Sequence, residues 1–299
     1  MEPHSVEDLS VSRRGLALFV AMCVIWGIPY LLIKVSLDGL GPVDLVFVRF
    51  VIGAVVLVPI ALTRVEVRPI LRRWRWVVAY TIVEMGVPWV LLSDAELRIS
   101  SSLSGLLVST VPLLSVGIGL LTRSRERHGW RRMLGLAIGL VGVAVLVGFD
   151  VSSSTVGAIV EVLVVAICYA IGPLIISRRL SDLPALGVVA ASLLLAAVGY
   201  APAGITQLPH AWPTGEVIAA VATLGLLCTA LAFLLFFALI AEVGPVRATV
   251  ITYVNPAVAV TLGVLLLHEP FTTGIAGGFV LILCGSVLAA RAAPAPSRA

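Results

Sequence analysis

Apolar stretches long enough to cross a lipid bilayer fill almost the whole chain, and no other feature constrains its fold as much. A membrane-spanning helix needs about 20 mainly apolar residues, because each residue adds about 1.5 Å across a hydrocarbon core about 30 Å thick. The stretches of this length are residues 15–36, 42–63, 75–95, 99–121, 131–148, 157–177, 184–205, 216–240, 245–267 and 271–290. They lack the alternation of apolar and polar residues that membrane strands require, so we predict an all-α membrane protein with ten transmembrane helices.

Little of the chain is left over for a soluble domain. Of its 299 residues, 60% are hydrophobic and 12% are charged, which is the composition of a protein that works inside a membrane. The four cysteines each lie in a different apolar stretch, where a thiol behaves as a small hydrophobic group. We therefore expect no disulfide, no metal site and no cofactor.

Arginines indicate how the helices are oriented, because short basic segments stay on the cytoplasmic side. Clusters of arginine lie before the first predicted helix and in segments 64–75 and 123–132. Placing them inside puts both termini in the cytoplasm, with residues 1–14 and 292–299 as tails, in a multi-pass protein of the cell membrane, the inner one in bacteria. The net charge of +4 then reflects topology, and we expect no nucleic-acid partner. Arg178, Arg179, Arg247, Arg291 and Arg298 also fall inside, so the basic residues outside this pattern are Lys34, Arg49 and Arg98.

Prolines, charged residues and glycines of the first half recur in the second half at a nearly constant offset. The matched pairs are Pro29 and Pro173, Lys34 and Arg178, Asp38 and Asp182, and Pro112 and Pro256, all 144 residues apart, and Gly135 and Gly278, and Gly142 and Gly285, both 143 apart. We therefore predict two five-helix repeats, residues 15–149 and 150–291. Because each repeat crosses the membrane an odd number of times, the second must be inverted relative to the first.

Inverted repeats are the usual construction of secondary transporters, since exchanging the conformations of the two halves opens a central cavity to each side in turn. A duplicated scaffold without transport, a channel and a membrane-embedded enzyme are the alternatives. A channel usually has a filter or a charged pore ring, and the sequence contains neither. Its four histidines lie in tails, loops or a helix end, and no catalytic motif accompanies them, which argues against an enzyme.

Several short motifs are similar to those of one known family. They are the Trp-Gly-Ile-Pro-Tyr segment 26–30 followed by Lys34, the opening of helix 2 at 42–49, the serine-rich start of helix 4 leading to Pro112, the glycines Gly135, Gly139 and Gly142, Asn255 with Pro256, and His268 with Glu269 and Pro270. From Gly15 to Arg291 the chain resembles the EamA-type branch of the drug/metabolite transporter superfamily. Within that family it looks most like the YddG-type exporters of aromatic and other amino acids.

The resemblance implies a ten-helix carrier built from two inverted five-helix repeats. One position departs from the family pattern. The acidic residue expected directly after helix 4 is displaced to Glu126, among several arginines, whereas its equivalent Glu269 is followed at once by Pro270. A shared role for the two acids therefore does not follow from the resemblance.

Two predicted helices carry aromatic and polar groups along one face. Trp26 and Tyr30 lie four residues apart in helix 1, and Tyr80, Glu84 and Pro88 follow the same spacing in helix 3. Trp26 is either a cavity wall or a packing residue. A carboxylate near mid-membrane costs about 2.5 kcal/mol or more. Glu84 is therefore a ligand for a substrate ammonium group, a proton-coupling site or a neutral, hydrogen-bonded structural acid.

The side chains predicted to line a central substrate cavity are Trp26, Tyr30, Tyr80, Glu84, Trp89, Ser109, Tyr169, Thr229, Phe233, Tyr253 and Asn255. The prolines predicted to act as gating kinks are Pro29, Pro88, Pro112, Pro173 and Pro256. So many rings favour an aromatic or apolar amino acid as the small-molecule substrate, with other metabolites or drugs as the alternative. Membrane lipid is the other expected partner, and the oligomeric state, the coupling ion and the transport direction stay open.

Overall fold

The structure is a computed structural model that describes residues 12–121, 130–148, 153–244 and 248–291. Its apolar helices are α1 (Arg13–Ser36), α2 (Pro42–Arg64), α3 (Trp74–Glu96), α4 (Ser101–Ile118), α5 (Met133–Leu146), α6 (Thr155–Leu180), α7 (Ala185–Gln207), α8 (Gly215–Val243), α9 (Val250–Leu266) and α10 (Thr273–Ala289). Seven are long and apolar enough to cross a membrane, and α5, α9 and α10 are shorter. The predicted helical fold is thus confirmed over the described residues, and ten crossings stay a prediction. Glu126 and the tail 292–299 lie outside the described residues, as does most of the tail 1–14.

The first helix is broken in the middle, at residues 26–28. Its first part, Arg13–Ile25, ends there and its second part starts with Pro29. Proline has no N–H to continue the ladder of hydrogen bonds. The N–H of Gly27 bonds the Val24 carbonyl oxygen at 3.0 Å, so the Cys23 carbonyl loses its usual partner within the helix.

The fourth helix is also interrupted. Ser101–Val108 and Val111–Leu121 are separate helical pieces, and Pro112 lies at the start of the second. In the gap, the hydroxyls of Ser109 and Thr110 donate to backbone carbonyls one turn earlier, at 2.5 and 2.7 Å. These side chains stabilise backbone groups close to the interruption.

The remaining predicted kinks differ from one another. Pro88 follows a widened π-helical turn at Ile82–Gly86, and Pro256 is the second residue of a helix that begins at Asn255, after a short 3₁₀ turn at Thr249–Tyr253. The sixth helix runs past Pro173 without a break, and its backbone widens only afterwards. The repeat partners Pro29 and Pro173 therefore have different local structures.

Helices of the first half pack mainly against helices of the second half. The adjacent pairs are α1 with α8, α2 with α7, α3 with α6, α4 with α9, and α5 with α10. Exchanging α1 to α5 with α6 to α10, in order, maps this set of pairs onto itself. The two halves are therefore interlocked along the whole bundle.

The backbones of α5 and α10 approach each other closely. A Cβ atom on Gly135 would lie 2.5 Å from the backbone nitrogen of Ala289, and one on Gly285 would lie 2.5 Å from that of Gly139. The two backbones are therefore in direct contact, which only small residues allow.

Candidate functional site

A buried arginine lies where α2, α3 and α8 meet. Arg49 is only 7% exposed, although α2 is an apolar helix. Its guanidinium carbon lies 3.7 Å from the centre of the Trp89 ring, and its Nε donates a hydrogen bond of 3.0 Å to the Thr229 hydroxyl. Arg49 is thus held by a cation–π contact on one side and a hydroxyl on another.

The orientation of Thr229 is set by an irregular turn of α8. Residues Leu226–Leu231 form a π-helical turn, and the Thr229 hydroxyl donates to the carbonyl oxygen of Leu224 at 2.9 Å. Since its proton is used there, the hydroxyl oxygen is free to accept from Arg49. The widened turn therefore positions a hydrogen-bond acceptor for the guanidinium.

Several aromatic side chains interact with the arginine or with the ring beneath it. The Trp89 ring stacks on Phe50 with 4.7 Å between ring centres and an interplanar angle of 10°. The side chains of Tyr30 and Tyr169 are close enough to Arg49 to interact with it electrostatically, and Tyr169 also lies beside the Trp89 indole. Burial of a cation among neutral rings and hydroxyls makes this layer attractive to an anion.

No carboxylate forms an ion pair with Arg49 within the described ranges of the chain. The ion pairs found there join Arg73 with Asp182, and Arg98 with Asp94 and Glu161. A buried charge without a counter-charge is costly. Arg49 is therefore unusual among the described arginines.

Glu84 lies in the π-helical turn of α3, against α6. Its Oε2 atom is buried and has no hydrogen-bond partner among the residues that the structure describes. A Cβ atom on Gly172 would lie 1.7 Å from this oxygen, so the carboxyl group occupies space that the glycine leaves open. Tyr80 and Tyr169 interact with it electrostatically, and Tyr169 also interacts in this way with Arg49.

A second aromatic group forms at the break of α1. The Trp26 ring lies 4.6 Å from that of Phe236 and 6.0 Å from that of Phe233, in an edge-on contact with the latter. Phe233 in turn stacks on Phe237 at 6.2 Å. These contacts place Trp26 and Phe233 together, and their role in lining a cavity stays a prediction.

Three other predicted lining residues make contacts of a different kind. The Ser109 hydroxyl bonds its own helix, as described above. In the orientation that satisfies its neighbours, the Asn255 amide nitrogen donates to the carbonyl oxygens of Cys23 and Ile251, at 3.1 and 2.9 Å. Tyr253 ends a 3₁₀ turn and is half-buried. Ser109 and Asn255 thus stabilise helix interruptions, and a role in lining a cavity stays a prediction for all three.

Acidic groups cluster at the end of the bundle where α3 ends and α4 starts, which is the predicted outer face. The Glu269 carboxylate accepts hydrogen bonds from the backbone N–H groups of Ser101 and Ser102, at 2.7 and 2.9 Å, and from the Ser102 hydroxyl. A carboxylate at a helix N-terminus is favourable because of the free N–H groups and the helix dipole. The preceding His268 has a left-handed backbone, with φ of 53°, so this contact is made by a strained segment.

Two further charged residues lie at the same end. The Nζ of Lys34 donates to the backbone carbonyl oxygens of Glu96 and Ile99 at the C-terminal end of α3, the second at 3.0 Å. Arg98 bonds Glu161 and Asp94. The hydrogen bond to Glu161 is the main reason why the pKa of Arg98 is raised from its ordinary value.

The opposite end of the bundle, predicted to be cytoplasmic, is rich in arginine. Arg73 forms an ion pair with Asp182 and donates to the backbone carbonyl oxygen of Arg179 at 2.6 Å. The guanidinium of Arg179 lies 4.5 Å from the centre of the Trp76 ring. Two clefts of about 350 and 400 Å³ lie here, so the segments after α2 and after α6 share one face of the bundle.

Arg49 is the residue that the predicted cavity lining did not include. Its signal was present in the sequence, since it is one of the basic residues that the positive-inside pattern leaves unexplained. The structure brings it together with the predicted residues Trp89, Tyr169 and Thr229. A charged residue inside an apolar helix is a functional candidate by default, and Arg49 meets that description.

Known proteins with similar sequences are membrane transporters. The chain is 31% identical to the "uncharacterized inner membrane transporter YedA" of Escherichia coli (strain K12), over 83% of this chain and 80% of the relative. It is 26% identical to the "probable terminal-alkyne amino-acid exporter" of Streptantibioticus cattleyicolor, over 90% of this chain and 91% of that protein. A solved crystal structure, described only as that of a protein, matches with a TM-score of 0.66 and 25% identity over 94% of this chain and 98% of its own.

The family assignment rests on a match to almost the whole chain. The model of the EamA-like transporter family matches twice, over residues 13–148 and residues 156–291. Together with the apolar helices, the matches confirm the predicted resemblance and the predicted location in the cell membrane. The chain is a multi-pass membrane protein and belongs to the EamA-like transporter family.

Proposed function

We propose that the protein is a secondary transporter that exports aromatic and apolar amino acids by alternating access through a central site. The observation that carries the proposal is the buried layer around Arg49, where α2 and α3 of the first half meet α6 and α8 of the second. The ring of Tyr169 is only partly buried and offers a surface to an aromatic side chain. A site at the interface of two repeats is where such carriers bind their substrates.

The arrangement of the helices supports alternating access. The family model matches each half separately, and the set of packed pairs is unchanged when the two halves are exchanged. This is the pattern expected of two inverted five-helix repeats related by a two-fold axis in the membrane plane, with all ten helices crossing the membrane and both termini in the cytoplasm. Exchange of the two halves' conformations would then expose the central site first to one side of the membrane and afterwards to the other side.

The composition of the layer supports an amino acid as the substrate. Phe50 and Arg49 lie on the Trp89 ring, so its edge and the partly buried ring of Tyr169 are the surfaces that would contact an apolar or aromatic side chain. The relative from Streptantibioticus cattleyicolor is named as an amino-acid exporter, and its similarity extends over most of this chain. Other metabolites or drugs are the alternative substrates of the same site.

Counterflow in liposomes tests the proposal. Purified protein is reconstituted into liposomes loaded with unlabelled L-phenylalanine, and labelled L-phenylalanine is added outside at low concentration. A carrier accumulates the label transiently, whereas a pore only equilibrates it. Repeating the assay with other amino acids, and with and without a pH gradient, defines the substrate range and any proton coupling. Failure to exchange any amino acid in the panel would contradict the proposal.

Two tryptophan variants connect the activity with the site. Trp89→Ala removes the ring below Arg49, and we expect it to lower exchange at least about tenfold. Trp212→Ala is the matched control, because Trp212 is 92% exposed between α7 and α8, and it should exchange like the unmodified protein. Efflux from cells preloaded with labelled phenylalanine then tests the direction of transport, since an exporter speeds the loss of label.

A further inference from the structure

Two opposite charges in the central layer have no charged partner among the described residues. Arg49 has no carboxylate beside it, and Glu84 has a buried oxygen without a hydrogen bond. They do not pair with each other, but Glu84 lies against Gly172 of α6, and Tyr169, three residues earlier on that helix, lies beside the Trp89 ring that contacts Arg49. A ligand that carries both an anionic and a cationic group could therefore satisfy both.

We propose that Arg49 and Glu84 bind the two charged groups of a zwitterionic α-amino acid, Arg49 the carboxylate and Glu84 the ammonium group. The inference rests on the transport function proposed above and assigns the residues that recognise the substrate's backbone. The side chain of the amino acid then contacts the rings beside the arginine.

The guanidinium of Arg49 is suited to a carboxylate. It has five N–H donors, and its Nε–H is bonded to Thr229, which holds the group in a fixed orientation. The terminal Nη1 and Nη2 groups form the fork that binds two carboxylate oxygens at once. The contact with Trp89 fixes the plane of the fork, so the site is organised before the ligand arrives.

Glu84 is suited to an ammonium group. Its Oε2 lies against the backbone of Gly172. Glu84 itself belongs to a π-helical turn, and such turns often occur at functional sites of helices. A bound ammonium group donates three hydrogen bonds and supplies the counter-charge that an ionised carboxylate needs in an apolar setting. This selects the substrate-ligand alternative for Glu84 over a permanently neutral structural acid.

The arrangement predicts which molecules the site rejects. An amine without a carboxylate leaves Arg49 unpaired, and an acid without an amine leaves Glu84 unpaired. A buried charged group that loses its partner weakens binding by about tenfold or more. We therefore expect L-phenylalanine to bind at least about tenfold more tightly than either phenethylamine or 3-phenylpropionate.

The test measures binding of these three compounds without requiring turnover. The melting temperature of the full-length protein in detergent is followed against the concentration of each compound, which yields an apparent Kd. In Arg49→Gln, L-phenylalanine and phenethylamine should bind equally, because the carboxylate no longer contributes. In Glu84→Gln, L-phenylalanine and 3-phenylpropionate should bind equally, because the ammonium group no longer contributes. A merely structural role would not produce this matched pattern.

Control variants carry the same substitutions outside the central layer. Arg98→Gln and Glu161→Gln break an ion pair near the predicted outer face, and both should keep the preference of the unmodified protein. If Arg49→Gln does not fold, Arg49→Lys retains the charge and should still prefer L-phenylalanine to phenethylamine, with a smaller ratio.

The outcomes separate this inference from the proposed function. If the unmodified protein exchanges amino acids but binds phenethylamine or 3-phenylpropionate as well as L-phenylalanine, the inference is wrong and the transport function stands. Full discrimination retained in both central variants also overturns the inference. If the protein exchanges no amino acid, and no amino acid raises its melting temperature, both the transport function and the roles of Arg49 and Glu84 are wrong.

Discussion

The amide nitrogen of Asn255 donates a hydrogen bond of 3.1 Å to the carbonyl oxygen of Cys23. This carbonyl lost its helical partner when α1 broke before Pro29, so an amide from α9 in the second half replaces a missing backbone N–H in the first half. Gly27 lets α9 approach, since a Cβ atom there would lie 2.4 Å from Val258. The break in α1 is thus stabilised by the opposite half of the protein.

Replacing Asn255 with leucine should destabilise the protein, because leucine has a similar size and no donor for the Cys23 carbonyl. We expect a loss of about 1–3 kcal/mol, as for a buried polar group left without its partner. Thermal unfolding in detergent measures it as a lower melting temperature. Thr261→Val is the control, because the exposed Thr261 hydroxyl bonds only its own helix, and its effect should stay within about 0.5 kcal/mol. Equal stability of the two variants would show that the contact with α1 contributes nothing.

The positions of the helices could be predicted because hydrophobic length is a local property of the sequence. The start of a helical piece at Pro29 and next to Pro256 was predictable for a similar reason, since a missing N–H is a property of one residue. The uninterrupted course of α6 past Pro173 was not, because it depends on how neighbouring helices accommodate the proline.

The central layer was predictable only in part. Trp89, Tyr169 and Thr229 are recognisable as polar or aromatic groups in apolar helices, but their meeting around Arg49 depends on the packing of four helices that are distant in the chain. The contact between Glu84 and Gly172 also depends on helix packing, so it could not be predicted either. A glycine has no side chain to mark it as a partner, so only the packed α3 and α6 reveal that it leaves room for a carboxylate.

Cysteine labelling should place the segments after α2 and after α6 on the same side of the membrane. Arg73 contacts both Asp182 and the backbone of Arg179, and the arginines of this face predict that it is cytoplasmic. Cysteines introduced at Thr63 and Arg179, in a chain without native cysteines, should react with an impermeant maleimide only after the cells are opened. A cysteine at His210, between α7 and α8, should react in intact cells. Labelling of Thr63 and Arg179 from opposite sides would contradict the inverted repeat.

Weakening the Glu269 contact should favour opening at the predicted outer face. Glu269→Gln removes the negative charge at the N-terminus of α4, which contributes about 1 kcal/mol, so the open population should rise about fivefold. A cysteine introduced at Ser104, which is fully buried, reports this as faster labelling from outside. Glu216→Gln is the control, because Glu216 lies in the first turn of α8, away from this contact. Unchanged labelling in Glu269→Gln would show that the contact does not hold this face closed.

A single methyl group at Gly172 should weaken amino-acid binding without changing any charge. The added Cβ atom would lie 1.7 Å from Oε2 of Glu84, which is far inside contact distance, so the carboxylate must turn away from its present position. Gly172→Ala should therefore bind L-phenylalanine about tenfold more weakly and lose its preference over 3-phenylpropionate, as Glu84→Gln does. Gly199→Ala is the matched control, because a Cβ atom there has no atom within 4 Å, and its apparent Kd should equal that of the unmodified protein.

Since both substitutions add the same group to a helical glycine, a general effect on the helices would lower binding in both. A loss confined to Gly172→Ala therefore identifies the position of the Glu84 carboxylate as the cause, and normal discrimination in Gly172→Ala would exclude it.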